Sequence, residues 1–124
     1  MHKLPSVQEI FNKVSTHLLK QGRPARNSEG YCRYRTADGL SCAVGCLIPD
    51  EFYSPSFEGH SADKIIRELY ARGRADWFEH QDLLCELQWV HDENYPLKDG
   101  SFNVETLRAR LADIAARFKL EFSA

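Results

Sequence analysis

The architecture of this chain depends on the stretch YCRYRTADGLSCAVGCLIPDEFY, residues 31–53, which holds three of its four cysteines. Residues 31–36 alternate aromatic or thiol side chains with arginine, a pattern typical of a β-strand with two different faces. Asp38-Gly39 follows, and this dipeptide favours a tight hairpin turn because glycine tolerates a positive φ. The sequence therefore predicts a small β-hairpin around residues 31–42.

The next part of this stretch, LSCAVGCLIP at residues 40–49, is apolar but too short for its periodicity to distinguish a strand from a helix. Ser41 is placed as a helix N-cap and Pro49 as a stop. We expect a short strand near Leu40 that passes into one or two buried helical turns. Gly45 would then allow another stretch of backbone to approach closely.

Apolar residues at helical spacing predict four main helices around this insert. Each has a recognisable start or stop, such as the capping-box pair Ser6 and Glu9 in the first helix. Together with the hairpin they predict a compact, mostly helical α+β domain spanning residues 1–124. The four helices are expected from near Ser6 to Gly22, from Ala62, behind the cap Ser61, to Arg72, from about Ala75 to about His91, and from behind Asn103 onward.

Composition predicts an ordinary folded protein with one core. The 124 residues are 43% hydrophobic, and no low-complexity segment interrupts them. The first residues, MHKLPSVQEIFNKV, carry charges inside their apolar pattern, so we expect neither a secretory signal nor a membrane-spanning segment. A cytoplasmic location is therefore predicted, with the cysteines as reduced thiols rather than disulfides.

The cysteines permit three interpretations. A structural zinc site needs four nitrogen or sulfur ligands, usually with paired cysteines, and Cys42 and Cys46 form one such pair with three residues between them. Alternatively, these thiols are small buried hydrophobic side chains, which is the expected role and implies no cofactor. In the third interpretation Cys42 lies at a helix N-terminus as a catalytic nucleophile. The other candidate zinc ligands are Cys32, Cys85, His60, His80 and His91.

The run CRYRTADGLSCAVGCLIPDEFY, with VQEIF before it and LQWVHDE after it, resembles a group of small uncharacterised proteins found in phages, prophages and their bacterial hosts. This resemblance spans much of the chain. It brings no catalytic residue or cofactor with it. It implies an accessory protein that binds a host or phage protein, including the possibility of an inhibitor of host defence.

Charge is distributed unevenly along the chain, although the net charge of −2 disfavours a general nucleic-acid binder. Residues 20–35 contain five basic residues and one acidic residue, whereas residues 76–93 contain six acidic residues and no lysine or arginine. Either these segments pair with each other within the fold, or they steer a charged partner. Arg33 and Arg35, which should project opposite Tyr34, are candidates to bind carboxylates or phosphates of a partner.

The helix predicted over residues 75–91 is apolar on two sides. Phe78, Cys85 and Trp89 lie nearly opposite the broad face that contains Trp77. Such a helix is either sandwiched in the core or carries a second surface for a partner, so Trp89 is a candidate for either role, and Phe78 is the other candidate anchor.

The predicted function is that of a small macromolecule-binding accessory protein that acts by protein–protein interaction. A small cysteine- or zinc-dependent enzyme is the alternative. Nucleic acid is a less favoured partner, no membrane partner is expected, and the oligomeric state stays open.

Overall fold

The computed structural model describes residues 6–94 and 96–122, without the side chains of Ala75 and Phe78. Over these residues the chain forms five α-helices and a short 3-10 helix around one core. The fourth helix packs against the first, second and fifth, and the third packs on the second. The helices are α1 (Val7–Gln21), α2 (Ala62–Ala71), α3 (Ala75–Glu79), α4 (Gln81–Asp92) and α5 (Val104–Arg117), and the 3-10 helix is Pro55–Phe57.

The predicted start and stop of α1 and the predicted start of α5 are confirmed. Ser6 and Glu9 form the expected capping box, and Gly22 ends α1 in the left-handed region at φ 74°. The side chain of Asn103 accepts a hydrogen bond from the N–H of Thr106 at the start of α5. None of the described helices is both long and apolar enough to cross a membrane.

The predicted β-hairpin around residues 31–42 is absent, so the α+β class is wrong. Over the described residues the backbone forms no β-strand, only two isolated antiparallel bridges. The turn at Asp38-Gly39 does form, because the N–H of Gly39 bonds to the carbonyl of Thr36 at 3.2 Å. The turn is therefore present without the two strands that it was expected to join. The bridges pair Arg26 with Cys32 and Arg35 with Ser41.

Two backbone hydrogen bonds link the arms of the turn, from the N–H of Thr36 to the carbonyl of Leu40 (2.9 Å) and from the N–H of Cys42 to the carbonyl of Tyr34 (3.2 Å), but the pairing goes no further. Side chains bond to other backbone groups of the two arms. The carboxylate of Glu58 accepts hydrogen bonds from the N–H groups of Tyr34 (2.8 Å) and Arg35 (3.2 Å). The amide of Gln21 bonds to both the N–H and the carbonyl of Ser41, each at 3.0 Å. Because buried backbone groups need one partner each, these bonds remove the requirement for a neighbouring strand.

The expected short strand near Leu40 is absent, and the residues after it form buried hydrogen-bonded turns rather than a full helix. The N–H of Cys46 bonds to the carbonyl of Cys42 at 3.0 Å, and residues 42–44 are fully buried. Ser41 is not the N-cap of these turns. Instead the Cys42 sulfur accepts the N–H of Gly45 at 3.3 Å, so the thiol takes the place of a capping oxygen.

The long helix predicted over residues 75–91 is interrupted, so this prediction is wrong at one point. His80 has φ −105° and ψ 16°, outside helical geometry, and separates α3 from α4. The two pieces have different packing partners, since α3 lies on α2 while α4 also lies against α5. The change of direction allows Trp77 in α3 and the apolar face of α4 to be buried together.

Candidate functional site

Polar side chains of α4 reach into the core and hold two loops. His91 is fully buried, and its Nε2 accepts the backbone N–H of Ala25 at 2.8 Å. Gln88 accepts the N–H of Val44 at 2.9 Å and donates to Asp92 at 2.9 Å. One helix thereby satisfies buried backbone donors in the two loops that contain Ala25 and Val44.

The hydrogen bonds of His91 determine its tautomer. A backbone N–H can only donate, so the Nε2 that accepts it carries a lone pair and no proton. The proton of the neutral ring is therefore on Nδ1, which donates to Asp92 at 2.7 Å. Both ring nitrogens are occupied by hydrogen bonds.

Cys32, His91 and Asp92 form a cluster of potential metal ligands. Their ligand atoms all lie within 4.8 Å of one another, and this is the one such group among the described residues. The cluster fits a metal poorly, because a metal on Nδ1 of His91 would leave neither ring nitrogen protonated. Burial first, and then the charge of Asp92, raise the pKa of Cys32 to about 11, which disfavours the thiolate that a metal needs.

The four cysteines do not assemble into the predicted zinc set. No three of Cys32, Cys42, Cys46 and Cys85 lie within ligand distance of one another in the described part of the chain. All four are free thiols, and Cys46 donates to the carbonyl of Ala43 at 3.1 Å. Burial raises the pKa of Cys46 to about 11.

Cys42 lacks the environment of a nucleophile. It is fully buried, and burial raises its pKa far above the ordinary value. A catalytic thiol needs a lowered pKa and access to substrate. The position of Cys42 matches that of a small buried hydrophobic side chain.

Arg33 and Arg35 are held within the fold. Arg35 donates to Asp50 at 2.8 Å and stacks 4.6 Å from the ring centroid of Tyr53. The Nε of Arg33 lies 3.2 Å from the carboxylate of Glu58, a charge contact without a hydrogen bond between the two atoms. Their charges are thus compensated by neighbours rather than by the acidic segment at residues 76–93.

The acidic segment leaves negative charge on the surface of α3 and α4. Asp76 pairs with Arg74 at 3.1 Å, and Glu86 pairs with Arg117 of α5 at 2.6 Å. Three further carboxylates of this segment are exposed and have no ion pair with any described residue. They belong to Glu79, Asp82 and Glu93.

Trp89 lies at the surface where α4 meets α5, not in the core. Half of its side chain (50%) is exposed, and the guanidinium of Arg110 lies 4.6 Å from its ring centroid. Arg110 is itself anchored to the carbonyl of Glu93 at 2.9 Å. We call this region the Trp89 surface. It comprises Asp82, Cys85, Glu86, Trp89 and Glu93 of α4 with Arg110, Asp113 and Arg117 of α5.

The sequence did not predict every residue of this surface. The contribution of Arg110 was missed because no local spacing connects it with Trp89; only the antiparallel packing of α4 and α5 does. The side chain of Phe78, the other candidate anchor, lies outside the described residues.

An open cavity of about 440 Å³ beside α1 contains His17 and Ser41, which resemble a catalytic pair. The Nε2 of His17 lies 3.1 Å from the Ser41 hydroxyl but 2.8 Å from the Ser41 carbonyl. A carbonyl oxygen only accepts, so this nitrogen carries the proton and cannot act as a base toward the hydroxyl. The pair therefore holds the backbone in place rather than activating a nucleophile.

The polar network of α4 and the Trp89 surface thus differ in whether they are available to bind another molecule. The network is occupied by hydrogen bonds that build the fold, whereas the Trp89 surface exposes an aromatic side chain with a charged rim. The second feature is the better candidate for a binding site. Comparison of the chain with protein-family models, with curated proteins and with solved structures finds no match.

Proposed function

We propose that this protein is a macromolecule-binding accessory protein that acts by protein–protein interaction, with the Trp89 surface as its binding site. The observation that most supports this proposal is the half-exposed indole of Trp89. Large aromatic side chains on a surface mark interaction sites more often than isolated aliphatic ones do. The other side of α4, by contrast, is fully used in the core.

The residues around Trp89 hold its ring in place before a partner binds. Arg110 stacks on the indole and is fixed by Glu93, so the ring loses little conformational entropy when a partner binds. Tryptophan and arginine are also the residues that most often dominate binding energy at the centre of an interface.

The resemblance to phage and prophage proteins suggests the partner. A small accessory protein of that kind binds a host or phage protein, and blocking a host factor or defence component requires only a binding surface. In this proposal it acts in the cytoplasm. Nucleic acid is a poorer partner, because the Trp89 surface carries more carboxylates than guanidinium groups and would repel phosphate.

The test compares Trp89→Ala with Tyr31→Ala, a control at another exposed aromatic residue (67% exposed). Tagged wild-type protein is used to capture a partner from a host lysate, and the identified partner is then purified. Trp89→Ala should keep the thermal midpoint and weaken the complex by on the order of 2 kcal/mol or more. Tyr31→Ala should bind normally. Equal binding by Trp89→Ala would contradict the proposal.

The alternative of a cysteine- or zinc-dependent enzyme draws on one observation, the proximity of Cys32, His91 and Asp92. The hydrogen bonds of His91 oppose it, so we propose that this cluster is a structural network without zinc. Denatured protein should then titrate four thiols without reductant, and elemental analysis should find no zinc. One zinc per chain in purified protein would revive the alternative.

A further inference from the structure

Carboxylates surround the strip of α4 that runs from Cys85 to Trp89. Asp82 and Glu86 lie on α4 itself, and Asp63 lies in the first turn of α2, which packs against α4. Burial first, and then the charges of these three residues, raise the pKa of the Cys85 thiol, in keeping with their position around it. The apolar strip therefore lies in a negative environment built from more than one helix.

Basic side chains compensate this charge only in part. Arg67 pairs with Asp63 at 3.3 Å, and Arg117 pairs with both Glu86 and Asp113. These pairs are exposed, and exposed ion pairs contribute little, so a partner can exchange with them at small cost. Two carboxylates form no ion pair with a described residue. They are those of Asp82, one turn before Cys85, and Glu93, one turn beyond Trp89.

The surface consequently keeps a net negative charge. The Trp89 surface has four carboxylates and two guanidinium groups, and no lysine belongs to it. The carboxylates are Asp82, Glu86, Glu93 and Asp113, and the guanidinium groups are Arg110 and Arg117. The ion pair of Asp63 and Arg67 on α2 adds one charge of each sign.

The indole of Trp89 adds a second attraction for cations. Its contact with Arg110 at 4.6 Å is a cation–π contact, and half of the side chain still faces solvent. Tryptophan is the best aromatic partner for lysine and arginine cations. A cation of the partner can therefore bind the exposed part of the ring while neighbouring carboxylates neutralise it.

We infer that the Trp89 surface binds a basic segment of a partner protein, one that presents lysine or arginine next to an apolar side chain. This inference rests on the proposed function and specifies the chemistry of the partner. The charge complementarity excludes acidic peptides and nucleic acid from this surface. The apolar neighbour on the partner contacts the indole edge and the strip at Cys85.

The experiment selects a displayed library of random peptides on the wild-type protein and repeats the selection on Trp89→Ala. Peptides that require Trp89 should be enriched in lysine and arginine relative to the library. Their affinity should fall by about fivefold or more between 50 and 500 mM salt, because screening weakens attraction between exposed charges.

Charge variants provide a matched comparison. The double variant Asp82→Asn, Glu93→Gln should weaken binding of the selected peptides by about fivefold, since it removes two carboxylates that form no ion pair with a described residue. Glu29→Gln, which removes an exposed carboxylate from the loop before residue 31, should leave their affinity unchanged. Equal affinity for the double variant and the wild type would overturn the inference.

The outcomes separate this inference from the proposed function. Trp89-dependent peptides that are acidic or neutral would overturn the inference and leave the proposed function standing. Absence of any Trp89-dependent peptide would overturn both. A dimer of this chain that Trp89→Ala abolishes, or binding of a DNA duplex that shifts the Trp89 indole resonance, would also overturn the inference.

Discussion

Glu58 is the side chain on which the region around residues 31–42 most depends. Its carboxylate is only 10% exposed and accepts hydrogen bonds from two successive backbone N–H groups and from the Tyr53 hydroxyl at 2.6 Å. A single side chain thus satisfies donors that a neighbouring strand would satisfy in a sheet. Removing an acceptor at this point leaves a buried donor unpaired, which destabilises more than the loss of an average hydrogen bond.

Glu58→Gln should therefore lower the free energy of unfolding by roughly 2 to 3 kcal/mol, because an amide group replaces one acceptor oxygen. Urea denaturation measures the change, and hydrogen exchange at Tyr34 and Arg35 should accelerate. The matched control is Asp50→Asn, which removes the ion-pair partner of Arg35 at a carboxylate that is 98% exposed. Equal destabilisation by both variants would contradict the role given to Glu58.

Gly45 offers a second test at one residue. A Cβ atom there would lie 2.1 Å from the backbone carbonyl oxygen of Tyr34, a conflict that no side-chain rotation relieves. Gly45→Ala should destabilise by about 3 kcal/mol or more through forced backbone movement. Gly39→Ala is the control, because a Cβ atom there would meet no other atom within 4 Å. Only the positive φ of +89° opposes this substitution, which should cost about 1 to 2 kcal/mol. The order of the two urea midpoints decides the question; similar midpoints would mean that the backbone adapts.

Among the secondary-structure elements, α4 combines two tasks on opposite sides. Its buried side carries Gln88 and His91 to the loops at Ala25 and Val44, and its exposed side presents Trp89. The helix therefore supports these two loops and also forms the main part of the candidate site. Substitutions on its two sides should have separable effects on stability and on binding.

His91→Leu tests the supporting task. Leucine fills similar space but leaves the Ala25 N–H without an acceptor, so stability should fall by about 2 kcal/mol or more. The amide of Ala25 should exchange faster with solvent. His80→Leu, at the break between α3 and α4, makes the same chemical change at a ring that forms no hydrogen bond with the described residues. If His91→Leu proved as stable as His80→Leu, the network would not be supporting the loops.

The molecule as a whole holds its thiols in environments that favour the protonated form. Burial raises the pKa of both Cys32 and Cys46 from 9.0 to about 11. The folded state therefore binds these protons more tightly than the unfolded state does. The resulting stability is fully present below pH 9 and is lost as the pH rises through about 11.

The urea midpoint should accordingly fall between pH 9 and pH 11 more steeply than between pH 7 and pH 9. The double variant Cys32→Ala, Cys46→Ala serves as the control and should show a shallower alkaline fall. Circular dichroism at each pH measures the midpoints. A profile that is flat to pH 11 in the wild type would contradict the buried environment of these thiols.

Local sequence was sufficient for both ends of α1 and for the start of α5. The capping pair Ser6 and Glu9, the stop at Gly22 and the cap at Asn103 act within a few residues, so their effect can be read from spacing. The turn at Asp38-Gly39 was predictable for the same reason. The interruption at His80 was not, because it depends on which helix packs beside each half.

The absence of strands and the exposure of Trp89 depend on packing between distant parts of the chain. The residues before and after the turn have a strand-like pattern and share two backbone hydrogen bonds, but Glu58 and Gln21 bond to other backbone groups of the two arms, and nothing local specifies that choice. Likewise, α4 is apolar on two sides, and the pattern does not show which side its neighbours cover. Sequence thus specified α1 and the cap of α5, whereas tertiary packing assigned partners to backbone groups and left one aromatic face open, since burial is a property of neighbours and not of the chain alone.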